Sequence, residues 1–136
     1  MFSDFPLHKW ILVILFIGIQ CKAVDTSQQQ DAQLKKLVEE NIGTDYNKVF
    51  NESKMFALYI QNIPAAKIGT TYVNFIVVEL KNNRLAEKGK FLYGHCVWLD
   101  PSSLEVVDMP GALKENQQPS EFKRIIVIKE SKTQRP

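Results

Sequence analysis

The stretch "IPAAKIGTTYVNFIVVEL", residues 63–80, decides how this chain folds. Two apolar runs flank a short break that contains Gly69. The second run is rich in β-branched and aromatic side chains, which suit a pleated, half-buried surface. Its Tyr72, Ile76, Val78 and Leu80 fall on one face, with Asn74 among them. The run before the break, "MFALYIQNI" at 55–63, places Phe56, Leu58 and Ile60 on one side and Ala57, Tyr59 and Gln61 on the other. Pro64 has no amide hydrogen to give a ladder, so it marks the end of that strand or a bulge. Two such strands around a glycine-containing break predict a hairpin with its tip at residues 65–69.

On the N-terminal side the period changes. Leu34, Leu37, Val38, Ile42, Tyr46, Val49 and Phe50 recur at three- and four-residue spacing. That stripe predicts a helix over residues 31–50, with Asp31 or Ser27 as its cap. Gly43 falls inside the stripe, at about 1 kcal/mol against alanine, and the apolar residues beyond it favour continuation. Residues 24–30, "VDTSQQQ", read as a flexible polar segment.

On the C-terminal side "KNNRLAEKGK" reads as a charged turn, and "FLYGHCVWL" at 91–99 as a third strand closed by "DPSS". "LEVVDM" at 104–109 and "FKRIIVI" at 122–128 predict further strands, with a loop at 110–120 between them and a loose tail from Lys129. One long helix followed by consecutive strands is an α+β pattern. The expected architecture is one long helix packed across a curved antiparallel sheet, whose other face is free to stay wet.

The first residues read as a targeting segment. His8 and Lys9 precede the apolar run "WILVILFIGI", which at 10 residues is too short for a bilayer span of about 20. "CKA" at 21–23 supplies small residues around a cut after Ala23. The domain reading is therefore a signal peptide over 1–23 and one secreted domain over 24–136, with an extension after about residue 110. After cleavage nothing else suggests a membrane segment. The 17 basic and 15 acidic residues are interspersed, so no clustered basic face points to nucleic acid. Cys96 stands alone in the secreted portion and reads as a buried small apolar residue; an intermolecular disulfide is the sharper alternative. Asn51-Glu52-Ser53 is an N-glycosylation triplet, effective where exposed.

The residues for catalysis do not assemble. His95 and Cys96 are strand neighbours and diverge to opposite faces, which argues against a Cys-His dyad. One histidine and one cysteine are a poor start for zinc, and no glycine-rich phosphate loop occurs. The expectation is a binding protein, not an enzyme, without cofactor or metal. No residue argues for self-association.

The order of these features resembles a family. "DYNKVFNES" at 45–53 is similar to the Tyr-Asn-Lys segment of secreted cystatins, and "AAKIGTTYVNFIVVEL" to their central hairpin. The likeness covers about residues 31–81 and weakens toward about 109. It implies an inhibitor of papain-like cysteine proteases that occludes the active-site cleft with a glycine-bearing N-terminal arm, a Gln-x-Val-x-Gly hairpin and a Pro-Trp hairpin. The residues it nominates are Ala65, Ala66, Lys67, Ile68 and Gly69 in the first hairpin. For the second hairpin it nominates either "WLDPSS", with Trp98 and Pro101, or residues 109–113, with Pro110 and Gly111. The departures are specific. No glycine lies between Val24 and Ile42. Ala65 stands for the glutamine and Lys67 for the valine, and a lysine in a desolvated contact is costly unless paired. The family's paired disulfides are absent. A non-inhibitory cystatin-like binding protein is the alternative these departures support.

Overall fold

The computed structural model describes residues 26–64, 71–111 and 114–131. Among the described residues one long helix, α1, runs Thr26–Ile42. Four strands follow in one antiparallel sheet, ordered β1 (Asn47–Phe50), β2 (Phe56–Pro64), β3 (Thr71–Glu79) and β4 (Arg84–Phe91). Three more form a second antiparallel sheet, ordered β5 (Gly94–Asp100), β6 (Ser103–Asp108) and β7 (Lys123–Val127). A short 3-10 helix, Pro119–Phe122, leads into β7. The α+β class and the helix on an antiparallel sheet agree with the sequence reading.

The helix does not reach residue 50. It ends at Ile42, and Gly43 takes a left-handed φ of +86°. The Gly43 N–H donates to the Glu39 carbonyl at 3.0 Å, closing the last turn. Glycine adopts that conformation without a Cβ penalty, so the residue read as an interruption is the terminator. The apolar residues beyond it serve other purposes. Tyr46 packs edge-on against Tyr59, ring centroids 5.2 Å apart, while Val49 and Phe50 sit half-exposed on β1. The helix also starts earlier than expected and includes Thr26–Gln30. Glutamine is a good helix former, and the Asn83 side chain holds the Gln30 carbonyl at 2.8 Å.

A larger difference concerns the sheet face expected to stay wet. On one face Ala57, Tyr59, Ile76 and Val78 are buried with Val38 and Ile42 of the helix. On the other, Phe56, Leu58, Val73, Phe75, Val77 and Phe91 are buried with Cys96, Leu104, Val106 and Ile128. The last four belong to β5, β6 and the residue after β7, so the second sheet covers the first. The order of layers is helix, four-stranded sheet, three-stranded sheet. Full burial of a side chain such as Leu58 or Phe75 is worth about 1.5–3 kcal/mol, and β3 gains it on both faces.

Two local readings also change. "KNNRLAEKGK" is a turn only at its start, and Arg84–Phe91 is the edge strand β4. Exposed charges are what an edge strand uses to resist further pairing, so its composition imitates a loop. "FLYGHCVWL" is broken at Gly94, whose φ is +131°. An added Cβ there would lie 1.7 Å from the Val107 carbonyl oxygen, so glycine is required at the entry to β5.

The start of the C-terminal tail is tied down. Glu79 is buried, and its carboxylate accepts hydrogen bonds from Ser131 Oγ at 2.9 Å and Arg84 Nε at 3.0 Å. Burial pushes this carboxyl up. The hydrogen bonds from Ser131 and then Arg84 together outweigh that and hold it below the ordinary carboxylate range. Asn82 Nδ2 also donates to Ser131 Oγ at 3.0 Å.

Two measurements check these assignments. Gly94→Ala is expected to cost about 3 kcal/mol through overpacking and backbone strain. Gly111→Ala, where the nearest atom is 3.4 Å from the added carbon, should be close to neutral in the same urea titration. Because the folded-state pKa of Glu79 is depressed, its contribution is present above the ordinary carboxylate pKa. That contribution is lost as pH falls through the folded value. Glu79→Gln should therefore cost about 1–3 kcal/mol at neutral pH and flatten the acid limb of the stability profile.

Candidate functional site

Three connections meet at one end of the sheets. β2 and β3 finish there, with Pro64 opposite Thr71 on the last rung. β4 arrives at the same end, since Phe91 pairs with Val73. Leu92 and Tyr93 then lead directly into β5. β6 returns antiparallel to β5, with Asp108 opposite Gly94, and delivers Met109, Pro110 and Gly111 beside Tyr93. The Met109 N–H donates to the Tyr93 carbonyl at 2.8 Å. Tyr93, Met109, Pro110 and Gly111 line a shallow cavity of about 220 Å³.

The hairpin-tip residues Ala65, Ala66, Lys67, Ile68 and Gly69 lie outside the described residues. The strands that carry them end beside this cavity's side of the molecule. Tyr72, next to the tip, stacks under the Lys90 ammonium, which lies 4.6 Å from the ring centroid.

Trp98 and Pro101 are not part of this end. β5 runs away from Gly94, and Pro101 follows its last residue, so both residues sit toward the opposite pole. There the Trp98 indole N–H donates to the Val49 carbonyl at 3.2 Å. The Pro101 carbonyl accepts from the Asn51 side chain. Of the two sequence candidates for a second hairpin, "WLDPSS" therefore lies at the pole away from Pro64 and Thr71, and Met109, Pro110 and Gly111 lie beside Tyr93, just past the end of β4; Ala112 and Leu113 lie outside the described residues.

Asn51 is a bracket at that opposite pole. It is 2 % exposed. Its Oδ1 accepts from the Phe56 N–H at 3.0 Å, and its Nδ2 donates to Ser53 Oγ at 2.9 Å and to the Pro101 carbonyl. The exposure on which the glycosylation expectation depended is not present in the folded chain: the nitrogen that would carry the sugar is used internally.

His95 and Cys96 diverge as their alternation requires. Cys96 is buried and unpaired. Burial pushes its thiol up to about 12, which disfavours the nucleophilic thiolate. His95 is exposed, with Nε2 3.4 Å from Glu105 Oε1. Hydrogen bonds from Lys123 and then His95 hold the Glu105 carboxyl below its usual range. Among the described residues no group of three His, Cys, Asp or Glu side chains is placed to hold a metal.

The loop end offers an aromatic ring, a thioether and a proline. Such groups give contact area and hydrogen bonds rather than bond-making chemistry. Tyr93 was not legible as a site residue, because the run from Phe91 reads as unbroken strand unless Gly94 is recognised as a break. No protein-family model matches this chain, and the searches of curated proteins and of solved structures returned no match either.

Asn51→Ala is expected to destabilise the fold by about 2 kcal/mol, since it strands the Phe56 amide in the interior. Secreted from eukaryotic cells, the wild-type chain should show no mass loss on treatment with an N-glycosidase. A glycan-sized loss would contradict the bracket.

Proposed function

We propose that this chain is a secreted, cystatin-like binding protein that works through its loop end, with papain-like cysteine proteases as the partner class. The carrying observation is the convergence of the β2–β3 hairpin, the Tyr93 connection and the Met109–Pro110–Gly111 segment at one pole. A row of loops on a rigid sheet scaffold is how a small protein presents a binding edge. The helix laid on an antiparallel sheet supports the cystatin-like reading of the fold. The second sheet on the other face is a departure from the single-sheet expectation.

A second reading is a cystatin-like binder that does not inhibit. One observation favours it: Trp98 and Pro101, the only tryptophan–proline neighbours in the secreted portion, are engaged in hydrogen bonds remote from the hairpin. The substitution of Ala65 and Lys67 in the tip points the same way.

Titration of the purified secreted chain against papain and a cathepsin, read with a fluorogenic peptide, separates the two. Slowing at micromolar concentration supports inhibition, and Tyr93→Ala combined with Met109→Ala should then weaken it about tenfold or more. Unchanged turnover with a folded chain ends the inhibitor reading. Slowing that ignores both the double variant and a bulky replacement at Gly69 would remove the loop end as the contact.

A further inference from the structure

Helix α1 lies across β2 and β3 and leaves the upper half of β4 uncovered. Between its last turn and that strand is an open cleft of about 330 Å³. Asn41 from the helix, Asn74 and Ile76 from β3, and Lys88, Gly89 and Lys90 from β4 line it. The register makes this a compact arrangement: Asn74 pairs with Lys90, and Ile76 with Lys88. Lys88 and Lys90 are two residues apart on one strand, so they project from the same face about 7 Å apart.

Among the described residues neither ammonium is matched by a carboxylate. The ion pairs of the described residues involve Lys35, Lys36, Arg84, His95 and Lys123, not these two. The nearby helix carboxylates have their own cations, Glu39 with Lys35 and Glu40 with Lys36, each at 3.8 Å. Glu87 is in register with Val77, on the face opposite to Lys88 and Lys90. Lys90 is steadied over the Tyr72 ring. The half-buried Asn74 carboxamide makes no hydrogen bond to a described residue. Asn41 spends one amide hydrogen on the Leu37 carbonyl at 2.9 Å and keeps the other.

The negative end of the helix opposes an anion here. Its field is reduced because one terminal carbonyl, that of Glu39, already accepts a hydrogen bond. Two full positive charges outweigh what remains. Gly89 keeps the lysine-bearing strand close to β3, since a Cβ there would lie 2.4 Å from the Phe75 ring.

We propose that this cleft binds a small tetrahedral oxyanion, a phosphoryl or sulfuryl group. Four of the residues that line it carry donor groups, Lys88 and Lys90 with their ammoniums and Asn41 and Asn74 with their carboxamides. A carboxylate has two oxygens and is matched best by the planar fork of arginine. The described cleft holds no arginine, and Arg84 is committed to Glu79. Lysine acts as a point charge and suits a group with three or more acceptor oxygens. The inference is independent of the protease reading.

The test is an NMR titration of the isotope-labelled secreted chain at low ionic strength, with inorganic phosphate, sulfate and malonate as separate probes. Saturable shifts centred on Asn41, Asn74, Lys88 and Lys90 with either tetrahedral ion are expected. The joint substitution Lys88→Gln and Lys90→Gln should weaken binding about tenfold or more; both side chains are exposed, so the fold is retained, as circular dichroism would verify. A control pair, Lys54→Gln and Lys81→Gln, should leave it unchanged. Shifts spread evenly over surface lysines, tighter binding of malonate than of both tetrahedral ions, or indifference to the Lys88 and Lys90 substitutions would each overturn the site.

Discussion

Burial of β3 on both faces is the constraint on which the rest of the structure depends. Ile76 and Val78 face the helix, and Val73, Phe75 and Val77 face the second sheet. A strand of this kind must have partners above and below it, and the chain supplies the helix before it and three strands after it. The exposed, charged edge strand β4 follows from the same arrangement. With the centre so apolar, the border of the sheet carries lysines and glutamate to stay unpaired.

The two layers are held in register by polar groups at the pole away from the loops. The Asn51 side chain joins the start of β2 to the turn after β5, and the Trp98 indole joins β5 to β1. At the other pole the backbone bond from Met109 to Tyr93 keeps two loops together. The molecule therefore has one pole committed to internal hydrogen bonding and one that presents loops. Residues such as Trp98 and Pro101, which look like contact residues in the sequence, belong to the committed pole. A linear motif carries no information on which pole a turn will occupy; that is set by the parity of strand reversals.

What was legible in the sequence was whatever periodicity and burial dictate locally. The hairpin of β2 and β3, the strand at β6 and the divergence of His95 and Cys96 follow from period-two alternation, and the end of β2 at Pro64 fits the missing amide hydrogen of proline. Two of the failures share a cause. Gly43 and Gly94 each sit inside an apolar pattern that continues past them, and each takes a positive φ, Gly43 where the helix ends and Gly94 where β5 begins. A pattern of side chains cannot report a backbone angle. The second sheet was missed for a different reason. The alternation of β2 shows two apolar faces, Phe56 and Leu58 opposite Ala57 and Tyr59, yet the helix alone accounts for only one. The cleft beside Lys88 and Lys90 was hidden because its strand was read as a turn, which gives its side chains no common direction.

Cys96 adds a further consequence. The residue lies in the seam where the two sheets meet and is 3 % exposed. A thiol reagent reaches it only when that seam opens. The labelling rate at Cys96 is thus a clock for separation of the layers, set by the opening equilibrium when closure outpaces modification. That thiol is a chemical reporter at the joint between the two halves of the interior.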